Sequence, residues 1–336
     1  MGFPLKLAER RPKAPEAALL GLLRGVPLPP GLEKSWPEIL ALAEAHGVAP
    51  LLHAAAPELP DEAREDLRRL RAAAQADRRW QSAALLRLGG ALEGAGALVI
   101  HAAAYAEDLY AAPELRPVRA LEMLIAPSRT FAALERLSRR GYRIEERPQK
   151  GWLVLRLRDP REPRAVIHLR RGFAGPVAAP EAPRGGAGPE PEVRSALPVG
   201  ALCLRAQGTR LHPDDALLVQ AAVLADEVTR ARLIEVVDLA HLLRRCDPAM
   251  AVARARQARL LPQLGAALLL LERCAAASRR FGGAEVDPAR FPRLDLPAEA
   301  ERAVDAYELS AEPERPGALL QMARALGLLA EQGTVE

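Results

Sequence analysis

A single carboxylate in an apolar stretch is the first feature of this chain that could do chemistry. The segment RPVRALEMLI, residues 116–125, reads as a turn that leads into a short buried strand, and Glu122 is the only acid on it. Burying a carboxylate is costly unless a cation or a metal ion neutralises it. Glu122 therefore either forms a salt bridge with Arg116 or Arg119 at a strand end, or belongs to a metal-dependent site.

Two histidines join Arg116 and Arg119 as candidate substrate-binding residues. His101 precedes a predicted helix, where its ring could meet an anion, and His168 alternates with apolar residues on a predicted strand. We interpret both histidines as packed structural residues first and as ligands second. The sequence contains no P-loop, no nucleophile elbow, no paired cysteines and no pair of histidines at metal-binding spacing.

The elements that must position these residues follow from the apolar periodicity, which predicts an α+β chain. A small mixed β-sheet core lies between a helical N-terminal region and a C-terminal helical bundle. The expected boundaries are 1–94 for the helical region, 95–171 for the core, 172–198 for a Pro/Gly-rich loop or linker, and 199–336 for the bundle.

Within the core, the change from helical to alternating periodicity places each element. Strands are expected near 97–101, 120–125, 152–158 and 164–170, with helices near 103–111 and 128–140. Two expectations outside the core bear on the site. Asp238, which lies in the apolar segment LIEVVDLAHLLRR, is expected to be a structural hydrogen-bond anchor, and residues 282–297 are expected to be a loop.

Composition restricts the class of protein. The chain has 336 residues and a formal net charge of +4, and nearly all its basic residues are arginines, as a GC-rich genome would produce. Nucleic-acid binding is therefore the last-ranked function. No apolar run reaches the roughly 18 residues that a membrane span needs. Three widely spaced cysteines, Cys203, Cys246 and Cys274, indicate a reducing, cytoplasmic setting without disulfides or zinc.

Several segments, in order, resemble the uncharacterised nucleotidyltransferase family of the polymerase-β-like superfamily. SWPEILALAEAHGVAPLLH, residues 35–53, resembles the helical entry of that family, and residues 97–142 resemble its catalytic core. In the family that core reads Leu-Lys-Gly, a Tyr, then Arg-x-x-x-Asp-x-Asp-Leu-Leu-Val and a helix that ends Gly-Tyr. AVIHL, residues 165–169, resembles the later strand, and residues 233–245 resemble the helical segment that follows.

The resemblance implies a reaction whose ligands are largely missing here. Nucleotidyl transfer usually uses two magnesium ions, which require oxygen ligands in octahedral geometry. The three acids of the family fall on Ala120, Glu122 and Val166, so Glu122 alone offers a carboxylate. The Lys-Gly of the phosphate-contacting turn falls on His101 and Ala102.

Our first hypothesis is therefore a pseudoenzyme, a nucleotidyltransferase-like protein that acts by binding a protein partner or a pathway substrate. It would need no cofactor, and nucleotide binding would be weak or absent. The alternative is an active magnesium-dependent nucleotidyltransferase that moves a nucleoside monophosphate to a hydroxyl acceptor. That enzyme would use Glu122 as catalytic residue and metal ligand, with acids recruited from elsewhere, such as Glu107 and Asp108.

Overall fold

The computed structural model describes most of the chain up to residue 287. The described residues are 14–55, 59–145, 154–173, 197, 199–226, 232–276, 278–287, 290–291, 294, 296 and 301. Apart from residues 172, 173 and 197, the predicted linker lies outside them. Residues 302–336 of the expected C-terminal bundle also lie outside.

The N-terminal region is helical, as the periodicity predicts. Its helices are α1 (Ala14–Leu23), α2 (Trp36–Ala45), α3 (Ala49–Ala55) and α4 (Asp61–Ala91). The long helix α4 begins with two acids, which suit the positive end of the helix dipole. Its buried stripe includes Leu67, Ala84 and Leu88, which pack into the core.

A mixed five-stranded sheet follows, and it confirms the predicted α+β core. The strands are β1 (Leu98–Ile100), β2 (Leu121–Leu124), β3 (Arg143–Ile144), β4 (Val154–Arg158) and β5 (Val166–Arg170), in the order β1-β2-β5-β4-β3. Strands β2 and β5 are parallel, and the other neighbours are antiparallel. Helices α5 (His101–Asp108) and α6 (Thr130–Arg139) follow β1 and β2 at the expected places.

The sheet has one apolar face and one polar face because side chains alternate along each strand. Glu122 lies opposite His168, and His168 lies opposite Arg156, so these side chains share one face. Arg158 and Arg170 lie two residues further along the same strands, and we call these five residues the polar face. The residues between them are buried in the core: Leu121, Met123, Leu155, Leu157, Ile167 and Leu169.

The C-terminal region is also mainly helical. It contains α7 (Val199–Arg205), α8 (Pro213–Asp226), α9 (Leu233–Leu243), α10 (Pro248–Gln257) and α11 (Leu261–Ala275). All residues of α9 are buried. None of the described helices combines the length and the apolar character needed to cross a lipid bilayer.

The expectation of a loop over 282–297 is wrong at its start. Residues Arg280–Phe281 (β6) and Ala284–Glu285 (β7) form an antiparallel hairpin. Gly282 and Gly283 form its turn with φ of +57° and +84°, values that favour glycine. The amide of Gly282 donates to the carbonyl of Leu23, so the hairpin also closes against the end of α1.

One hydrophobic core connects the N-terminal helices, the sheet and the C-terminal helices. His46, at the end of α2, receives two hydrogen bonds from the N-terminus of α9. Its Nδ1 accepts from the amide of Leu233 at 3.1 Å, and its carbonyl accepts from the amide of Ile234 at 3.2 Å. These bonds satisfy amides that a helix start leaves without partners.

Asp238 on α9 forms a fully buried polar contact between the core and the C-terminal region, and this confirms its expected role as an anchor. Its carboxylate accepts from Arg116 Nη2 at 2.6 Å, from Arg116 Nε at 2.9 and 3.0 Å, and from the Tyr110 hydroxyl at 2.7 Å. Burial would lower the pKa of Arg116, but the charge of Asp238 outweighs burial and raises it.

Replacing Asp238 with Asn should destabilise the protein by about 3–5 kcal/mol, because Arg116 would remain buried without a countercharge. Urea unfolding at neutral pH measures the loss. The control is Glu135→Gln, which breaks the Glu135–Arg139 pair on α6, whose side chains are 50% and 73% exposed. That change should cost about 0.5 kcal/mol or less. Equal losses in the two variants would contradict the anchoring role.

Candidate functional site

The site at Glu122 is assembled from three neighbouring elements. Strand β2 carries Glu122, β1 runs antiparallel beside it with Ile100 opposite Glu122, and α5 begins at the next residue, His101. On the other side β5 runs parallel and contributes Arg170, two residues beyond His168. The order of strands therefore brings a histidine and an arginine to the same carboxylate.

Both side chains contact the same oxygen of Glu122. His101 Nδ1 lies 2.7 Å from Oε2, and Arg170 Nε donates to Oε2 at 2.7 Å. An ionised carboxylate only accepts hydrogen bonds, so Nδ1 carries the proton of the imidazole bond. The Glu122 side chain is 15% exposed, and those of His101 and Arg170 are buried. Solvent therefore screens these contacts only weakly.

The charges of these neighbours determine the state of Glu122. Burial alone would raise the pKa of its carboxyl, but the charges of His101 and Arg170 outweigh burial. The pKa of Glu122 therefore lies well below its ordinary value. The group is an ionised carboxylate with its charge neutralised by protein cations, and it is not suited to act as a general acid at neutral pH.

His101 has an unusual backbone. Its φ of +51° lies in the left-handed region, which costs a residue other than glycine about 1–3 kcal/mol. The chain turns there directly from β1 into α5, and the imidazole ring also packs edge-on against Tyr105 and Phe173. Within the described part of the chain, the buried Nε2 of His101 has no hydrogen-bond partner. The contact with Glu122 is thus the polar interaction that this strained residue makes.

The residues present do not fit the two-magnesium centre that the resemblance implies. Ala120 and Val166 have no oxygen in their side chains, and Oε2 of Glu122 already contacts His101 Nδ1 and Arg170 Nε. The described residues include no group of three or more His, Cys, Asp or Glu side chains arranged to hold a metal ion. Magnesium prefers carboxylates and water oxygens and would here approach a cationic surrounding.

The acids that could replace the missing ligands have other partners. On α5, Glu107 forms a salt bridge with Arg78, and Asp108 Oδ2 lies 3.1 Å from Arg210 Nε. Two further residues of the polar face are arginines with an acidic partner. Arg156 and Arg158 both contact Glu145, which follows β3 at the edge of the sheet.

The structure corrects the predicted partners of Glu122. Arg116 is buried against Asp238, and Arg119 is exposed and donates to the carbonyl of Ala45 at 3.3 Å. Both arginines precede β2, where the chain lies against α9 and the end of α2. Sequence reasoning did not identify Arg170, although its position two residues after His168 places it on the same face of the strand.

Replacing Glu122 with Gln should destabilise the protein by about 3 kcal/mol at pH 7, because the bonds of Arg170 and His101 to a largely buried, ionised carboxylate would be lost. The matched control is Glu145→Gln. Like Glu122, Glu145 is an acid of the sheet region with two basic partners, in its case two arginines. Those arginines are 45% and 40% exposed. The control should cost less than about 1 kcal/mol, and urea unfolding measures both.

The cost of Glu122→Gln should also depend on pH. The folded-state pKa of Glu122 is depressed. The carboxylate therefore contributes its full share to the free energy of unfolding above the unfolded-state pKa of about 4.3, and this share falls as the pH decreases below that pKa. The difference between wild type and variant should shrink by about 1.4 kcal/mol per pH unit below that value. A difference that is equally large at pH 3 and pH 7 would contradict the charge interaction.

A comparison with protein families supports the resemblance within the core. Residues 33–173, less than half of the chain, match the model of a family described as uncharacterised nucleotidyltransferase. The comparisons with curated proteins and with solved structures gave no match. The matched range contains α2 to β5, and so the whole sheet and the Glu122 site. Over these residues the chain is similar to the uncharacterised nucleotidyltransferases, and its α+β core is nucleotidyltransferase-like.

Proposed function

We propose that this protein is a catalytically degenerate member of the nucleotidyltransferase-like proteins, and that it acts by binding a protein partner or a pathway substrate. The observation that supports this most strongly is the state of Glu122. The one acid that remains at the family's metal-binding positions is held by His101 and Arg170.

Physical competition explains why this arrangement disfavours a metal. A magnesium ion that bound Glu122 would have to displace the His101 imidazole and the Arg170 guanidinium from the carboxylate. Both side chains are buried, so each would lose its hydrogen bond to Glu122 in a poorly solvated place. With Ala120 and Val166 at the other two positions, no second carboxylate would offset that cost.

An exposed apolar groove supports the part of the proposal that concerns a protein partner. The groove has a volume of about 1060 Å³ and lies beside β1, between α4 and α7. Leu86 and Leu204 line it and are 80% and 89% exposed. Large exposed apolar patches are typical of interaction surfaces.

The alternative, an active magnesium-dependent nucleotidyltransferase, requires acids beyond Glu122. The salt bridges of Glu107 with Arg78 and of Asp108 with Arg210 argue against these two acids as metal ligands. An active enzyme that used Glu107 or Asp108 as a metal ligand would have to break the salt bridge of that acid as well as the contacts of Glu122. We therefore rank it second.

We also infer a reducing, cytoplasmic setting from the cysteines. All three are free, and Cys246 and Cys274 are buried. Burial raises the pKa of both thiols to about 12. Thiols of such high pKa form little thiolate and react slowly with oxidants.

Thermal unfolding with magnesium nucleotides tests the proposal. We expect a shift near zero for ATP, GTP, CTP and UTP at millimolar concentration, because the Glu122 site has too few ligands for a magnesium-bound triphosphate. A ligand at 100 times its dissociation constant would stabilise the folded state by about 2.7 kcal/mol, which corresponds to several degrees in a domain of this size.

The variants Glu122→Gln and Glu145→Gln make the test specific. A shift of several degrees that disappears on chelating magnesium and in Glu122→Gln, but persists in Glu145→Gln, would overturn the proposal. That result would place an active metal site at Glu122 and make the nucleotidyltransferase the leading function.

A further inference from the structure

A second cavity lies away from the polar face and is lined by four arginines. It has a volume of about 220 Å³ and is bounded by α4, the turn between α2 and α3, residues 113–119 and the start of α9. We call it the arginine pocket after its cationic residues, Arg78, Arg116, Arg119 and Arg232. The Glu122 site does not use these side chains.

Two of the arginines are buried, and they differ in what they offer a ligand. The Arg78 side chain is 8% exposed; Nη2 pairs with Glu107, and Nε and Nη1 are fully buried, so a ligand in the pocket would not reach them. The Arg232 side chain is 9% exposed, and its Nη2 lies 3.6 Å from Glu235 Oε1, beyond hydrogen-bond distance. An anion in the pocket would give the Arg232 guanidinium an acceptor at hydrogen-bond distance.

The charges around Arg232 also favour an anion. Burial lowers the pKa of Arg232 to about 10, and the nearby charges of Arg116 and Arg119 lower it as well, against the opposing effect of Glu235. Arg116 is neutralised by Asp238. Arg119 is exposed, and its one hydrogen bond to the described residues is the 3.3 Å contact with the carbonyl of Ala45.

The wall of the pocket packs closely against the Arg232 guanidinium. Gly47 has a φ of +69°, and a Cβ at this position would lie 3.4 Å from Nη1 of Arg232 and 3.3 Å from Ile234. The acids that line the pocket restrict the size of the ligand. Glu44 and Asp77 are exposed and would repel a long polyanion, whereas Glu114 is already paired with Arg71 at 2.9 Å.

We propose that the arginine pocket binds the phosphate group of a small molecule, with Arg119 and Arg232 as its donors. Guanidinium groups match the geometry of phosphate oxygens through paired N–H donors. The cavity is smaller than the roughly 300–1000 Å³ of most small-molecule pockets, so it suits a phosphate monoester of low mass. The site is independent of the proposed loss of catalysis at Glu122.

Calorimetric titration of the full chain at constant ionic strength tests this site. Inorganic phosphate and glycerol phosphate are the probes, with chloride and succinate as comparison anions. We expect saturable binding of both phosphates and none of chloride or succinate. Arg119→Gln and Arg232→Gln should each weaken phosphate binding about tenfold or more, because each removes one cationic donor.

The matched control is Arg79→Gln, which removes the same charge from the exposed neighbour of Arg78 on α4. It should leave phosphate affinity unchanged. Arg119 is exposed, so its replacement keeps the test valid even if Arg232→Gln fails to fold. Absence of saturable binding, equal weakening by Arg79→Gln, or full affinity in Arg119→Gln would overturn the proposal. Succinate binding as tight as phosphate binding would overturn the assignment to phosphate.

Discussion

Two carboxylates close to β2 must be neutralised in places that water hardly reaches, and the fold is arranged around that constraint. Asp238 receives Arg116 from the segment before β2, which joins the sheet to α9. Glu122, within β2, receives His101 from the end of β1 and Arg170 from β5. Each pair connects elements that are distant in sequence, so the positions of the strands and of α9 depend on the same charge compensation. Removing one member of such a pair is costly because the other remains buried.

In the function that we propose, the pairing of Glu122 separates this protein from an active nucleotidyltransferase. In a two-metal site, metal ions neutralise the carboxylates and at the same time stabilise the charge that develops during phosphoryl transfer. Here Arg170 and His101 contact the carboxylate in the place that a metal ion would take. The left-handed backbone of His101 is part of this arrangement, because the chain enters α5 directly after β1 at the turn that the resemblance assigns to phosphate contact. On the proposed function, a scaffold stabilised in this way would offer binding surfaces without a metal centre.

The sequence predicted the elements of the core better than the contacts among them. Strands and helices were predictable because their apolar periodicity is local, as in β4, β5 and α6. The partner of Glu122 was not predictable, because Arg170 reaches it through the parallel pairing of β2 with β5, which no local pattern reveals. Arg116 and Arg119 were chosen for closeness in sequence, yet the turn before β2 directs Arg116 to α9. The hairpin at 280–285 was missed because strands of two residues have no periodicity; the Gly282-Gly283 pair was its signal.

The most direct test of the central claim is a crystal structure grown with manganese and a non-hydrolysable nucleotide, with the metal located by anomalous scattering. Manganese prefers the same oxygen ligands as magnesium and can be identified by its anomalous signal. The account predicts no metal at Glu122, and the contacts of its carboxylate with His101 and Arg170 unchanged from 2.7 Å. An anomalous peak about 2 Å from a Glu122 oxygen, the distance expected for such an ion, with Arg170 turned away, would contradict it.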